Sequence, residues 1–209
     1  MRKNRGHLFI VSAPSGAGKT TLCHKLSSIL PNLRHSVSYT TRARRTGEVN
    51  NRDYTFVTEG VFRRMIKRGE FVEWAKVHGN LYGTSRKRLE EMRNKGINVI
   101  LDIDTQGARQ IRKKCSDGVY IFILPPSMKV LRERLQKRMC NSKDDMERRL
   151  TRAVDEIKDY KKYDYVIINN IFEDALEELK AIILLERLRT KSIEPLWIKK
   201  NFFTPWRTC

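Results

Sequence analysis

A chain of 209 residues, 40% hydrophobic and 32% charged, has the makings of one folded domain with room for a small inserted lobe, and it excludes a disordered polypeptide. No apolar run approaches the length needed to cross a bilayer. The formal net charge of +19 raises nucleic-acid binding, but no long basic block or RNA-binding signature accompanies it. The basic residues read instead as solvated helix faces, with a few gathered around small anionic substrates.

The basic start and the apolar "HLFIVS" invite a signal-peptide reading. The apolar stretch is only about six residues, shorter than a signal core, and it runs straight into a loop of small residues. It reads as a first strand. "SAPSGAGKTT" follows, and "LCHKLSSIL" then carries apolar residues at helical spacing, which predicts a helix from about Lys19 to Leu30. Strand, small-residue loop and helix make the setting of a phosphate-binding loop, here Ala13, Pro14, Ser15, Gly16, Ala17, Gly18, Lys19, Thr20 and Thr21. Backbone N–H groups and the helix N-terminus favour an anion there. Lys19 can reach the outer phosphates, and the Thr20 hydroxyl can join a magnesium shell. Ala13 stands where the usual pattern has glycine, which is acceptable only if its φ is negative.

Between Ser36 and Gly83 the texture changes to turn residues, Thr, Arg and aromatics, which predicts a small mixed lobe inserted after the first helix. "SVSYTTRARRTGEVNNRDY" gathers hydroxyls, four arginines from Arg42 to Arg52, and Tyr54. The planar guanidinium fork suits phosphate, so this group points to a second phosphate-bearing substrate. "FVEWAKVHGNLYGTS" adds Glu73, Tyr82 and Thr84. A carboxylate here can accept two hydrogen bonds from a base with adjacent N–H groups, as guanine has and adenine lacks. Taken alone, Glu73 reads as a solvated strand residue.

"INVILDID" then leads into "TQGARQIRKK", "VYIFIL" into "MKVLRERLQKR", and "YDYVIIN" into "FEDALEELKAIILLERLR". Runs apolar throughout suit strands covered on both faces, so the expected fold is α/β, a parallel sheet flanked by helices. Ligands of such sheets bind beyond the carboxyl ends of the strands, where "VILDID" places Asp102 and Asp104. Either carboxylate can hold magnesium-bound water or substrate donors; alternatively the pair caps the following helix. In "RERLQKRMCNSKDDMERRLTR", Arg134 and Arg138 lie one helical turn apart and Arg149 begins the next helix. Arginines on a flap over transferring phosphates neutralise transition-state charge; a plain basic helix face is the alternative. The helix from Asp144 to Tyr160 is expected to bury a stripe of Met146, Leu150, Val154, Ile157 and Tyr160. Beyond Arg189 no clear period remains, so the tail is expected either to dock or to stay loosely ordered. Cys23, Cys115, Cys140 and Cys209 have no metal spacing, which points to a reducing, cytosolic setting. No pattern fixes an oligomeric state.

Together these segments resemble the guanylate kinases, from about Arg5 to Arg189. The resemblance is carried by "SAPSGAGKTT", "VSYTTRARRTGEVNNRDY", "FVEWAKVHGNLYGTS", "VILDIDTQGA", "FILPPS", "RERLQKR", "RRL" and "YDYVIIN". It implies a P-loop core (5–35 and 84–189), a GMP-binding lobe (about 36–83), a lid (about 137–150), and phosphorylation of GMP, and of dGMP, by MgATP. It assigns the GMP phosphate to Arg42, Arg45, Tyr54 and Tyr82, and the guanine to Ser38, Glu73 and Thr84. Asp102 and Asp104 would lie near GMP and the magnesium shell, with Thr20 and Asp102 serving the metal mostly through water. Lys19, Arg42, Arg134, Arg138 and Arg149 would act on the transferring group, and Asn169 would lie on the adenine side. The chain departs from the family at Arg44 (usually proline), Asn51 and Met139 (usually glycine), and Asn170 (usually aspartate). A kinase for another small phosphate ester, such as a sugar phosphate, and a non-catalytic binding module of the same family are the competing readings.

Overall fold

Why the apolar runs become strands is visible in their burial: Leu8, Phe9, Ile10 and Val11 are all fully buried, so both faces of this segment are covered. The computed structural model describes residues 5–77, 79–137 and 143–203. In chain order, β1 (Leu8–Ser12) leads to α1 (Lys19–Ile29) and a short β2 (Leu33–His35). Next come β3 (Tyr39–Thr40), β4 (Thr55–Phe56), α2 (Glu59–Lys67), β5 (Phe71–Val77) and β6 (Asn80–Ser85). The chain then alternates through α3 (Arg86–Asn94), β7 (Asn98–Asp102), α4 (Thr105–Lys114), β8 (Gly118–Leu124) and α5 (Met128–Lys137). It closes with α6 (Lys143–Ile157), β9 (Tyr165–Ile168), α7 (Phe172–Leu188) and α8 (Pro195–Phe202).

The main sheet is five-stranded and parallel, in the order β2-β7-β1-β8-β9. On one face Phe9, Val11, Ile121 and Ile123 pack against Leu22 and Leu26 of α1 and Leu179 and Ile183 of α7. On the other, Leu8, Ile10, Val99 and Leu101 meet Leu89 of α3 and Ala108 and Ile111 of α4. Alternate residues of β1 thus serve opposite layers, as the period of two requires. The expected parallel architecture is the one observed.

The second sheet has four strands in the order β4-β3-β6-β5, with β3–β4 parallel and the other pairs antiparallel. Its core is small: Phe62 of α2 stacks on Phe71 at 4.5 Å, beside Leu81. Full burial of each such side chain contributes roughly 2–3 kcal/mol, so this lobe rests on a few contacts.

Two expectations change. The buried stripe of α6 runs through Met146, Leu150 and Ala153, whereas Val154 and Tyr160 are exposed, at 44% and 40%. The reason is helical phase: at about 100° per residue Ala153 lies roughly 20° from Met146, and Val154 roughly 80° away. The α-helix also ends at Ile157 and gives way to a 3-10 turn, Lys158–Lys162. In the tail, α8 forms with proline at its start, a signal the lack of periodicity masked. No helix among the described residues is long and apolar enough to cross a membrane.

Candidate active site

The loop between β1 and α1 bends through Gly16 and Gly18, with φ of 94° and 91°. Gly18 is required twice over, because a side chain there would also overlap the Asn169 amide nitrogen. Asn51 (φ 63°) is the only non-glycine residue with positive φ among those described, so Ala13 does not need glycine's freedom. Asn51 itself explains why glycine is usual at its place; asparagine is among the few side chains that tolerate this region. Gly18 caps α1 without any side-chain hydrogen bond, and the first turn carries no acidic residue. The first N–H groups of the helix therefore face the loop unclaimed by a cap, a ready anion site.

Lys19 extends from this turn to Asp102, the last residue of β7, and forms an ion pair with it. Burial pulls the Lys19 pKa down, while carboxylates around it, including Asp104, Glu156 and Glu73, act in the opposite sense. A cleft of about 230 Å³ opens here, lined by Ala13 through Thr20, Asp102 and Asp104, and across from them by Ser38, Tyr54, Glu73 and Tyr82. The loop and the lobe thus share one cavity. Thr21 lies on a neighbouring groove with His24, Glu48, Asp53 and Tyr54.

Glu73 overturns its reading as a solvated strand residue. It is 3% exposed, and its carboxylate accepts a hydrogen bond from the Thr84 hydroxyl at 2.6 Å. Thr84 is fully buried and serves the site through Glu73. Burial pushes the Glu73 pKa up to about 7. Asp104 caps α4 by accepting from the Gly107 N–H at 2.9 Å, and it also lines the cleft.

The arginines are deployed unevenly. Arg42 lies over the Tyr54 ring at 5.4 Å and pairs with Glu48 at 2.6 Å. The Arg45 amide donates to the same carboxylate at 2.8 Å. Glu48 and Asp53 are the two carboxylates of that stretch, and nothing in the local pattern marks Glu48 as the partner of Arg42. Arg134 donates to the Asn169 carbonyl at 3.0 Å, and the Asn169 amide donates to the Ala17 carbonyl at 2.7 Å. Asn169, buried at 4% exposure, therefore acts as a strut beneath the loop, and Arg134 is tied to that strut. Arg149 pairs with Asp145 at 2.9 Å on a groove shared with Arg148 and Arg152 rather than in the main cleft. Arg138 and Met139 lie outside the described residues. Two further α6 residues were not anticipated: Glu156 lines the cleft, and Arg152 bridges Glu156 at 2.9 Å and Asp104 at 3.4 Å. Their spacing in sequence resembles an ordinary helical ion pair, which hid them. No group of three His, Cys, Asp or Glu side chains among the described residues is placed to hold a metal ion. Cys23 and Cys115 are free thiols.

The guanylate kinase family model matches residues 5–186. The guanylate kinase of Geobacter metallireducens is 56% identical over 188 residues, spanning 90% of this chain and 93% of the relative. That of Geobacter sulfurreducens is 54% identical over 191 residues, 91% of this chain and 94% of the relative. The crystal structure of guanylate kinase from Anaplasma phagocytophilum superposes with a TM-score of 0.79 at 36% identity, covering 98% of this chain and 99% of that one. A phosphate loop, a facing lobe with a buried carboxylate, and similarity across nearly the whole length agree: this chain belongs to the guanylate kinase family.

Proposed function

We infer that the protein transfers the γ-phosphoryl group of ATP to GMP, giving ADP and GDP, and that dGMP is a second acceptor. The observation that carries this reading is the single cleft in which the phosphate loop faces the buried carboxylate of Glu73. An oxygen of the GMP phosphate attacks the γ-phosphorus in line, the bond to the β-phosphate oxygen breaks, and ADP leaves. No protein nucleophile is needed; the chain supplies position, positive charge and exclusion of water.

In this reading the loop N–H groups and Lys19 cradle the ATP phosphates, with Lys19 leaving Asp102 for them. Arg42, Arg45, Tyr54 and Tyr82 hold the GMP phosphate, which displaces Glu48 from Arg42. Ser38, Glu73 and Thr84 select guanine. Arg134 from α5, with Arg138 and Arg149 from a lid over about 137–150, stabilises the transferring group, and the lobe spans about 36–83 within a domain of 5–189. The donor set fits a magnesium ion held chiefly by phosphate oxygens and water: Thr20, Asp102 and Asp104 line the cleft without forming a cage. Thr20 and Asp102 would hold it, Asp102 mostly through water, and when bound it neutralises phosphate charge. The setting we assign is the cytoplasm, in purine nucleotide metabolism.

ADP release from MgATP, measured separately with GMP, AMP, CMP and UMP, tests the reading. Strong stimulation by GMP alone is the expected outcome; ATP binding with no stimulation by any of the four would overturn it. Similarity to guanylate kinases over nine-tenths of the chain is what favours GMP over a sugar-phosphate acceptor, and the retained Lys19 speaks for catalysis over a scaffold role.

A further inference from the structure

β5 is the edge strand of the lobe sheet, and its outer edge is not left open. Its register with β6 slips between Phe71 and Glu73, a bulge that places Glu73 opposite Thr84. A bulge re-aims a side chain at the cost of regular backbone pairing. The open edge beside the bulge is covered by α4. The Gln110 side chain accepts from the Trp74 N–H at 3.2 Å and donates to the Trp74 carbonyl at 2.6 Å. The Lys114 ammonium donates to the Val72 carbonyl at 2.7 Å. Both neighbours of Glu73 are therefore held through their backbone from the same helix. One turn earlier, a Cβ at Gly107 would stand 2.5 Å from the Glu73 carboxylate oxygen and 3.1 Å from its carbon. Residues 107, 110 and 114 share one helical face.

We propose that Gln110, assisted by Lys114, is a specificity-positioning residue: its amide replaces a missing strand and holds the bulged backbone so that Glu73 presents both carboxylate oxygens to guanine. Gly107 leaves the space in which that carboxylate sits. The inference rests on Glu73 reading guanine, and it adds what aims Glu73. Exposed edge strands invite pairing with another chain unless charge, a bulge or a covering element protects them. Here a core helix covers the edge with side-chain groups that match a backbone amide donor for donor, so the core fixes the geometry of a lobe that has little core of its own.

The test is Gln110→Met, which keeps the shape and removes both hydrogen bonds, assayed with GMP and with inosine monophosphate, which lacks the 2-amino group. KM for GMP is expected to rise about fivefold and the GMP-to-inosine-monophosphate ratio of kcat/KM to fall by a similar factor. KM for ATP should stay within about twofold. In a Glu73→Gln background the same substitution should leave the ratio unchanged, because the residue acts through Glu73. Lys114→Met, which loses one backbone bond together with a positive charge that favours ionised Glu73, should shift the ratio in the same direction, and it serves if Gln110→Met does not fold. Equal losses for the two acceptors, or an effect that persists without Glu73, would overturn the proposal. A wild-type protein that phosphorylates no GMP would instead overturn the functional reading itself.

Discussion

The phosphate loop and the guanine lobe face each other across one cleft but are built on opposite principles. The loop binds with backbone. Its N–H groups are placed by two positive-φ glycines and the start of α1, over a core in which Phe9, Val11, Leu22 and Leu26 are fully buried. In the proposed reading the lobe binds with side chains, and it rests on Phe62, Phe71 and Leu81. Backbone recognition tolerates many sequences but demands a rigid frame. Side-chain recognition supplies selectivity but needs each group aimed, which is why the lobe borrows support from α4 and ties its arginines to Glu48.

Breaking the loop should cost the most. Lys19→Ala is expected to lower kcat on the order of a thousandfold, since it removes a preorganised charge from the transferring phosphoryl group. GMP affinity, measured by calorimetry, should change by less than about twofold, because the lobe is untouched. Comparable losses in both would show that the two halves of the cleft are not separable.

Breaking the lobe should reverse that pattern. Glu73→Gln is expected to raise KM for GMP on the order of a hundredfold, through loss of charge-assisted hydrogen bonds to guanine. KM for ATP should hold within about twofold, and steady-state kinetics with each substrate varied in turn checks both. A matching rise in KM for ATP would mean that Glu73 supports the cleft as a whole.

A pH series sharpens the same comparison. Only ionised Glu73 can accept from both guanine N–H groups, and its pKa is pushed up to about 7. Protonation therefore competes with GMP as pH falls. KM for GMP should rise about tenfold between pH 8 and pH 6, in proportion to the shrinking ionised fraction. The phosphate of GMP titrates in the same range, so the decisive outcome is that Glu73→Gln flattens most of this dependence.

The same burial should be felt in stability. A carboxyl whose folded pKa is raised from 4.5 to about 7 favours folding only while protonated. Its contribution is most favourable below about pH 4.5 and is progressively lost as pH climbs through 7. At pH 8 Glu73→Gln should consequently stabilise the ligand-free protein, by about 3 kcal/mol, and most of the gain should be gone near pH 4.5. Chemical denaturation at the two pH values measures it. A destabilised variant at pH 8 would mean that the Thr84 hydrogen bond outweighs desolvation.

How much of this was legible before folding follows from distance along the chain. The loop from Ala13 to Thr21 is contiguous, so its glycines, lysine and threonine announce a phosphate site unaided, and the apolar runs announce the parallel sheet. The roles of Ser38, Tyr54 and Tyr82 came only through resemblance to a family, because nothing local ties a serine or tyrosine to a particular ligand group. The sequence could not tell that Asn169 braces Ala17, since 152 residues separate them. Nor could it tell that Gln110 completes the edge of β5 from 36 residues away. The burial of Glu73, and with it the shift in its pKa, was likewise invisible: a glutamate alternating with apolar strand residues reads as solvated unless one knows what covers it. Local chemistry determined the phosphate loop and the layering of the sheet, because both depend on neighbours in sequence. The surroundings of Glu73, on which the proposed selection of guanine rests, were decided by tertiary structure, because only the fold brings the bulge, α4 and that carboxylate together.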